Sequence, residues 1–362
     1  MILSFISVIV TFGLVIFLHE FGHFFVCRRL GVRVERFAFG FGPELVGVTS
    51  GGTRYSICAV PLGGFVKPAG ESLEDHTGHP DEYFSRTPWE RLAIVAAGPI
   101  MNYVLAFTVF FLLVFFWGVP EQSPEAVIGE MLPDYPAVTA GLKPGDRILK
   151  VGGLAVSSWQ DMAEYVHRNA EKPIAVVYAR DGAVANLSVT PRMDTALHHG
   201  VIGIGPTTRF KKVGALSSAK ESIHLCWRWT KYTVTTLAEK LYKRERPDLA
   251  GPVGIVQMVS KAAHSGIQDL MLIIGLISVA IGFFNILPIP LLDGGHAVLY
   301  LWEGVSGRKL TVQIVATANS VGLAFLMSLL VFATYNDVLR IRDGRKVARE
   351  AAAKKAAVAA PK

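Results

Sequence analysis

Leu18-His19-Glu20-Phe21-Gly22-His23-Phe24 is the stretch whose reading decides the rest, and it sits inside an almost wholly apolar run from Ile2 to Cys27. In a helix, residues four apart share a face, so His19 and His23 can aim two imidazoles at one metal ion. Glu20 follows the first imidazole directly, which suits a base acting on metal-activated water. A carboxylate in lipid costs roughly 2.5–3.5 kcal/mol even on insertion scales, so Glu20 marks a function here. The spacing predicts a zinc site inside a membrane-length helix. A lone histidine would read as a satisfied core residue; this triplet does not.

Composition agrees. The 362 residues are 51% hydrophobic and 18% charged, which fits an integral membrane protein carrying some soluble mass. The net charge of +7 comes from residues that flank apolar segments or crowd the C-terminus. No motif reads bases, so the lipid bilayer accounts for that charge and nucleic acid is excluded as a partner. Cys27, Cys58 and Cys226 give no disulfide framework. Cys27, one turn beyond His23, is either a further ligand or a buried thiol, and the thiol is the favoured reading.

Residues 1–27 form the first expected span. They lack a basic leader and a small-residue cleavage site, which separates them from a signal peptide. Arg28, Arg29, Arg33 and Arg36 follow. The positive-inside rule then puts the N-terminus outside and the motif toward the cytoplasmic end. At 1.5 Å per residue, His23 precedes Arg28 by about 8 Å.

Residues 28–91 read as a cytoplasmic-side β-loop. Thr53–Val60 alternates like a strand, and Gly51-Gly52 and Gly63-Gly64 mark turns. This is either a plain hairpin or a membrane-associated one whose edge receives an extended peptide. A second span covers 92–118. In it Asn102 is either packing glue or a group of the site, and Gly98-Pro99 allows close helix contact. Residues 124–193 break into short runs, with a turn at Asp181-Gly182 and a helix opened by Ser158 and Asp161. That is a small α+β domain, extracytoplasmic if the spans are right. Residues 194–267 are amphipathic, basic and aromatic, as in a helix on a membrane surface or a linker helix.

The third span, 268–300, is broken by Pro288 and Pro290 where Asn285 and Asp293 sit. Asp293 is the natural third ligand, leaving one position for water. The alternatives are a helix cap or a pair with Arg308. A fourth span covers 310–334. The basic tail, 335–362, then falls outside, against the positive-inside tendency.

With both motifs in place, the chain resembles the bacterial site-2 proteases, which are intramembrane zinc metalloproteases. The likeness rests on His19–His23, Pro61–Val66, Gly98–Asn102 and Asn285–His296; Ala140–Ile148 resembles the PDZ domains of that group. It implies a polytopic α-helical membrane protein with four transmembrane helices, a membrane-associated β-hairpin loop and one extracytoplasmic α+β PDZ domain. It implies Zn2+ on His19, His23 and Asp293, with Glu20 as base. The loop of residues 37–68, with Gly63 and Gly64, would pair with an unwound substrate, and Asn285, with Asn102, would contact it. Implied partners are single-pass transmembrane substrates, such as anti-sigma factors or remnant signal peptides, and an upstream extracytoplasmic protease. The PDZ part would filter substrates by size, although there is room for one such domain where many relatives carry two. Two rivals remain: a zinc transporter, which needs no paired base, and an inactive PDZ scaffold, which needs no stoichiometric zinc.

Overall fold

The computed structural model describes residues 2–194, 199–243 and 251–359. The chain opens with helix α1 (Ile2–Arg29), strands β1 (Val34–Ser50) and β2 (Thr53–Pro68), and helix α2 (Pro88–Trp117). Next come β3 (Val119–Gln122), β4 (Ile128–Met131), α3 (Pro136–Thr139), β5 (Arg147–Val151), β6 (Leu154–Ala155) and α4 (Trp159–Arg168). Strands β7 (Ile174–Arg180), β8 (Ala183–Val189), β9 (Arg192–Asp194), β10 (His199–Val201), β11 (Ile204–Pro206) and β12 (Thr208–Lys211) follow. The chain closes with α5 (Ala215–Tyr242), α6 (Pro252–Ser265), α7 (Ile267–Ile286), α8 (Asp293–Ser306) and α9 (Val312–Ala359). Helices α1, α2, α7 and the stretch Val312–Arg340 of α9 are each long and apolar enough to cross a membrane.

The chain divides into two compact units, Met1–Leu113 with Leu216–Lys362, and Val114–Ala215. In the second, Ile128, Val151, Val176 and Ile148 from the strands pack with Met162 and Val166 of α4 around one apolar core. Ser158 and Asp161 form a reciprocal capping box at the start of α4, satisfying two orphan amides. Asp146, only 1% exposed, takes both Arg180 donors at 2.7 Å and the Lys143 amide at 2.8 Å. The sequence ended this unit at 193. Instead β10, β11 and β12 return to pair with β9, β4 and β3, so it runs through Lys211.

In the first unit, β1 and β2 form a long antiparallel hairpin turned at Gly51-Gly52, both with positive φ. Register shifts fold it back on itself: Phe37 lies opposite Val66 on one side and Tyr55 on the other. Gly40 (φ +89) makes the corner, since a Cβ there would meet the Val60 carbonyl oxygen at 2.6 Å. Gly63 and Gly64 are not a turn, as the sequence suggested, but lie within β2.

Two more expectations change. The third span is not continuous: α7 ends at Ile286, and α8 starts afresh at Asp293 after the Pro288 and Pro290 loop. Residues 194–267 are not one surface helix. Residues 199–211 belong to the second unit's sheets, residues 195–198 and 244–250 lie outside the described residues, and the remainder is mainly α5 and α6. Helix α5 buries Cys226 against Ala106 and Phe110 of α2 and Val279 of α7. The tail continues α9 as helix to Ala359, and residues 360–362 lie outside the described residues.

Helix α9 is seated at two places. A Cβ on Gly322 would be 2.2 Å from the Pro290 carbonyl oxygen. Near its middle, Asp337 (1% exposed) accepts the Gly251 and Gly254 amides at 3.1 and 2.8 Å, capping α6. The hydroxyl of Ser260 on α6 in turn donates to that of Ser4 on α1 at 2.8 Å.

Candidate metal centre

Helices α1 and α2 meet at glycines. A Cβ on Gly22 would lie 2.4 Å from the Ala97 carbonyl oxygen, and one on Gly98 would lie 2.2 Å from His23 Nε2. The absence of a Cβ at Gly98 therefore leaves the space that the two imidazoles occupy. Gly98 is the residue that sequence reasoning undervalued: read as a helix-packing position, it is the floor beneath both rings, with His19 Cε1 also within 2.8 Å of its missing Cβ.

His19, His23 and Asp293 come together. The two Nε2 atoms are 3.3 Å apart, and Asp293 Oδ2 stands 3.1 Å from His19 Nε2 and 3.5 Å from His23 Nε2. Zinc–nitrogen bonds of about 2.0–2.1 Å in a tetrahedron place ligand atoms about 3.3 Å from one another. Asp293 Oδ2 is buried and makes no hydrogen bond of acceptable geometry. Three donors crowded at that spacing, with an orphaned carboxylate oxygen among them, fit a divalent cation. The other readings of Asp293 fail: Leu292 is the α8 N-cap, and among the described residues no ion pair joins Asp293 to Arg308. Cys27 is fully buried in an apolar cluster with Val32, Val34 and Tyr83, and does not join the donor group.

The supporting hydrogen bonds set which ring nitrogen would face a metal ion. His23 Nδ1–H donates to the Ile94 carbonyl oxygen at 2.8 Å, leaving Nε2 as a lone pair. His19 Nδ1 meets the Asn102 amide at 3.2 Å. With Nδ2 toward the ring, Asn102 Oδ1 is buried without a partner. The two ends of an amide are alike in shape. Turned over, the oxygen accepts Nδ1–H and frees His19 Nε2 for a metal. Asn102, fully buried, is thus the group that orients His19.

Glu20 lines the same cavity, of about 990 Å³, and its Oε2 accepts the Val66 amide of β2 at 3.2 Å. Gly64 lets the strand pass this close: its Cβ would sit 2.7 Å from the Ala38 carbonyl oxygen and 3.8 Å from Glu20 Cγ. Gly63 would collide with the Phe41 ring at 2.5 Å. Asn285 lies half-buried in the last turn of α7 and is not among the cavity's lining residues.

The Asp293 side is clamped differently. A Cβ on Gly294 would be 2.2 Å from the Leu287 carbonyl oxygen, and one on Gly295 would be 2.3 Å from that of Ile289. Between them Leu291 is held at φ +77, a left-handed conformation that costs a bulky residue about 1–3 kcal/mol. One side of α8 is tied to α2 by Arg91, which pairs with Glu303 at 3.0 Å and lies over the Phe84 and Tyr300 rings. Neither Leu291 nor Arg91 carried a sequence signal.

Residues 70–82 run along the cavity and are gathered by Glu82. Its carboxylate accepts the Thr77 hydroxyl at 2.5 Å and the amides of Thr77, Gly78 and His79 at 2.9–3.2 Å. These donors, the Thr77 hydroxyl first, hold its pKa down to about 2.

A family model described as peptidase family M50 matches residues 7–329. A Rhizobium meliloti protein named as a candidate zinc metalloprotease is 35% identical over 353 residues, covering 90% of this chain and 93% of its own length. The metalloprotease MmpA of Caulobacter vibrioides is 32% identical over 383 residues, covering 92% and 95%. Among solved structures, the PDZ domain of an SdrC-like protein from Listeria monocytogenes is similar at 22% identity and a TM-score of 0.21, covering 24% of this chain and 93% of that one.

Proposed function

The chain belongs to peptidase family M50, and from that premise we propose that it cuts the transmembrane segments of single-pass membrane proteins within the bilayer. It is a zinc metalloprotease. The observation that carries the finer reading is a three-donor metal site beside the Glu20 carboxylate, in a cavity of about 990 Å³ bounded by helices of membrane length. Held by His19, His23 and Asp293, zinc supplies Lewis acidity toward water and the scissile carbonyl.

Glu20 does the proton work. It takes a proton from the attacking water and returns it to the departing amine. A helical substrate hides its carbonyls in its own hydrogen bonds, so one or two turns must unwind before attack. Strand addition along β2, near Gly63 and Gly64, replaces those bonds. Asn285 and Asn102 are proposed to help hold the opened segment, Asn102 through the ring it orients. In this reading the N-terminus and the unit Val114–Ala215, a PDZ domain, lie outside the cytoplasmic membrane. An upstream protease shortens the substrate before it is admitted, and anti-sigma factors or remnant signal peptides are the substrate classes.

Glu20→Gln tests it. The variant should purify with stoichiometric zinc, cleave no transmembrane reporter, and accumulate shortened membrane-bound fragments in cells. Normal cleavage by that variant excludes Glu20 as the base.

A further inference from the structure

We propose that Leu291 sets the size of the substrate residue beside the scissile bond, by walling off a side pocket from the cavity that holds the metal donors. The proposal rests on the cleavage reading above and names a determinant of its selectivity.

Among the described residues, four other than glycine have positive φ: Asp134, Glu171, Asp181 and Leu291. The first three are polar and lie in the unit Val114–Ala215, and Asp visits this conformation readily. Leu291 is bulky and apolar, and it stands two residues before a metal donor. The loop around it is over-determined, with its carbonyls pressed against Gly294, Gly295 and Gly322. Glycine at 291 would satisfy that backbone without strain. The backbone therefore gives no reason for a leucine.

Burial gives none either, because Leu291 is 40% exposed. What it does is line two spaces at once. One is the cavity shared with His19, Glu20, His23 and Asp293. The other is a smaller pocket of about 100 Å³ formed with Pro288, Pro290, Val298 and Ala318. Among the described residues, only Leu291, His296 and Asn319 line both, so these three make the partition. His296 and Asn319 are polar, which leaves Leu291 as its apolar part. With the leucyl side chain removed, the small pocket opens toward the reacting bond and a larger apolar residue can be seated there.

The test uses the full-length zinc-loaded chain in detergent. Its probes are single-pass reporter proteins with Ala, Leu or Phe on each side of the cut. In Leu291→Gly, the ratio of kcat/KM for the Phe reporter to that for the Ala reporter should rise by roughly tenfold or more. Asn319→Ala opens the same partition from α9 and leaves the sequence of the loop unchanged, and should raise the ratio in the same direction. That variant keeps the test decisive if Leu291→Gly disturbs the metal. Ratios unchanged in both variants overturn the proposal. A wild-type chain that cuts none of the reporters overturns the cleavage reading and this inference together.

Discussion

His19 and His23 ride on α1, an unbroken helix, whereas Asp293 sits in the first turn of α8, reached through a loop with two prolines and a left-handed leucine. On the first side, helical spacing alone aligns the donors, and α2 only has to leave room. On the second, nothing in regular geometry delivers the carboxylate; it arrives because backbone carbonyls settle onto glycines that have no Cβ to obstruct them. Such a site combines a donor pair set by local periodicity with a third donor set by tertiary packing. The two should fail in different ways.

The largest expected effect is at the floor of the first side. Gly98→Ala drives a methyl group into His23 Nε2, so zinc affinity should fall by more than the roughly 100-fold that loss of a supporting hydrogen bond costs. Metal analysis after dialysis against a weak chelator, together with cleavage of a reporter, checks it. Gly294→Ala attacks the other side, forcing the Leu287 carbonyl and its loop away. Here cleavage should be lost while the histidine pair still holds zinc weakly, a split visible when titration and activity are measured on one sample. Equal behaviour of the two variants would erase the distinction drawn above. Asn102→Ala removes only the partner of His19 Nδ1 and should cost about 10–100-fold in zinc affinity, with the fold intact by circular dichroism.

The smallest effect lies away from both sides, in the segment gathered by Glu82. Its folded pKa of about 2 is below the ordinary carboxylate value of 4.5, so its stabilisation is fully present above pH 4.5 and fades as pH falls toward 2. Pepsin cleavage within residues 70–82 should therefore rise steeply over that range. In Glu82→Gln, neutral-pH proteases should already reach the segment.

The same contrast explains what could be read in advance. The paired histidines and Glu20 were legible because a helix converts a spacing of four into a shared face. Asp293 was legible because an acidic residue in so apolar a setting has few other uses. The restart of helix at Asp293 was not, since Pro288 and Pro290 announce a break without saying where the chain resumes. Gly63-Gly64 was misread as a turn because glycine also serves close approach, here to Phe41, Ala38 and Glu20. The end of the α+β unit was missed by nearly twenty residues because β10–β12 are three or four residues long, too short for alternation to show. Two of them, β11 and β12, pair with strands more than 70 positions upstream. Asn102 was left undecided between glue and site for a similar reason: only the fold brings it to a ring 83 positions away.

The seating of α9 has one more consequence. Ser4 on α1 touches α6, α6 is held by Asp337 of α9, Gly322 of α9 bears on Pro290, and the Pro290 loop ends at Asp293, which faces the histidines of α1. The supports form a closed circuit, with the ion's position as one of its joints. In such a ring a load applied at any joint is shared around both arms, so loosening a remote helix end should register at the metal as a small, graded slackening.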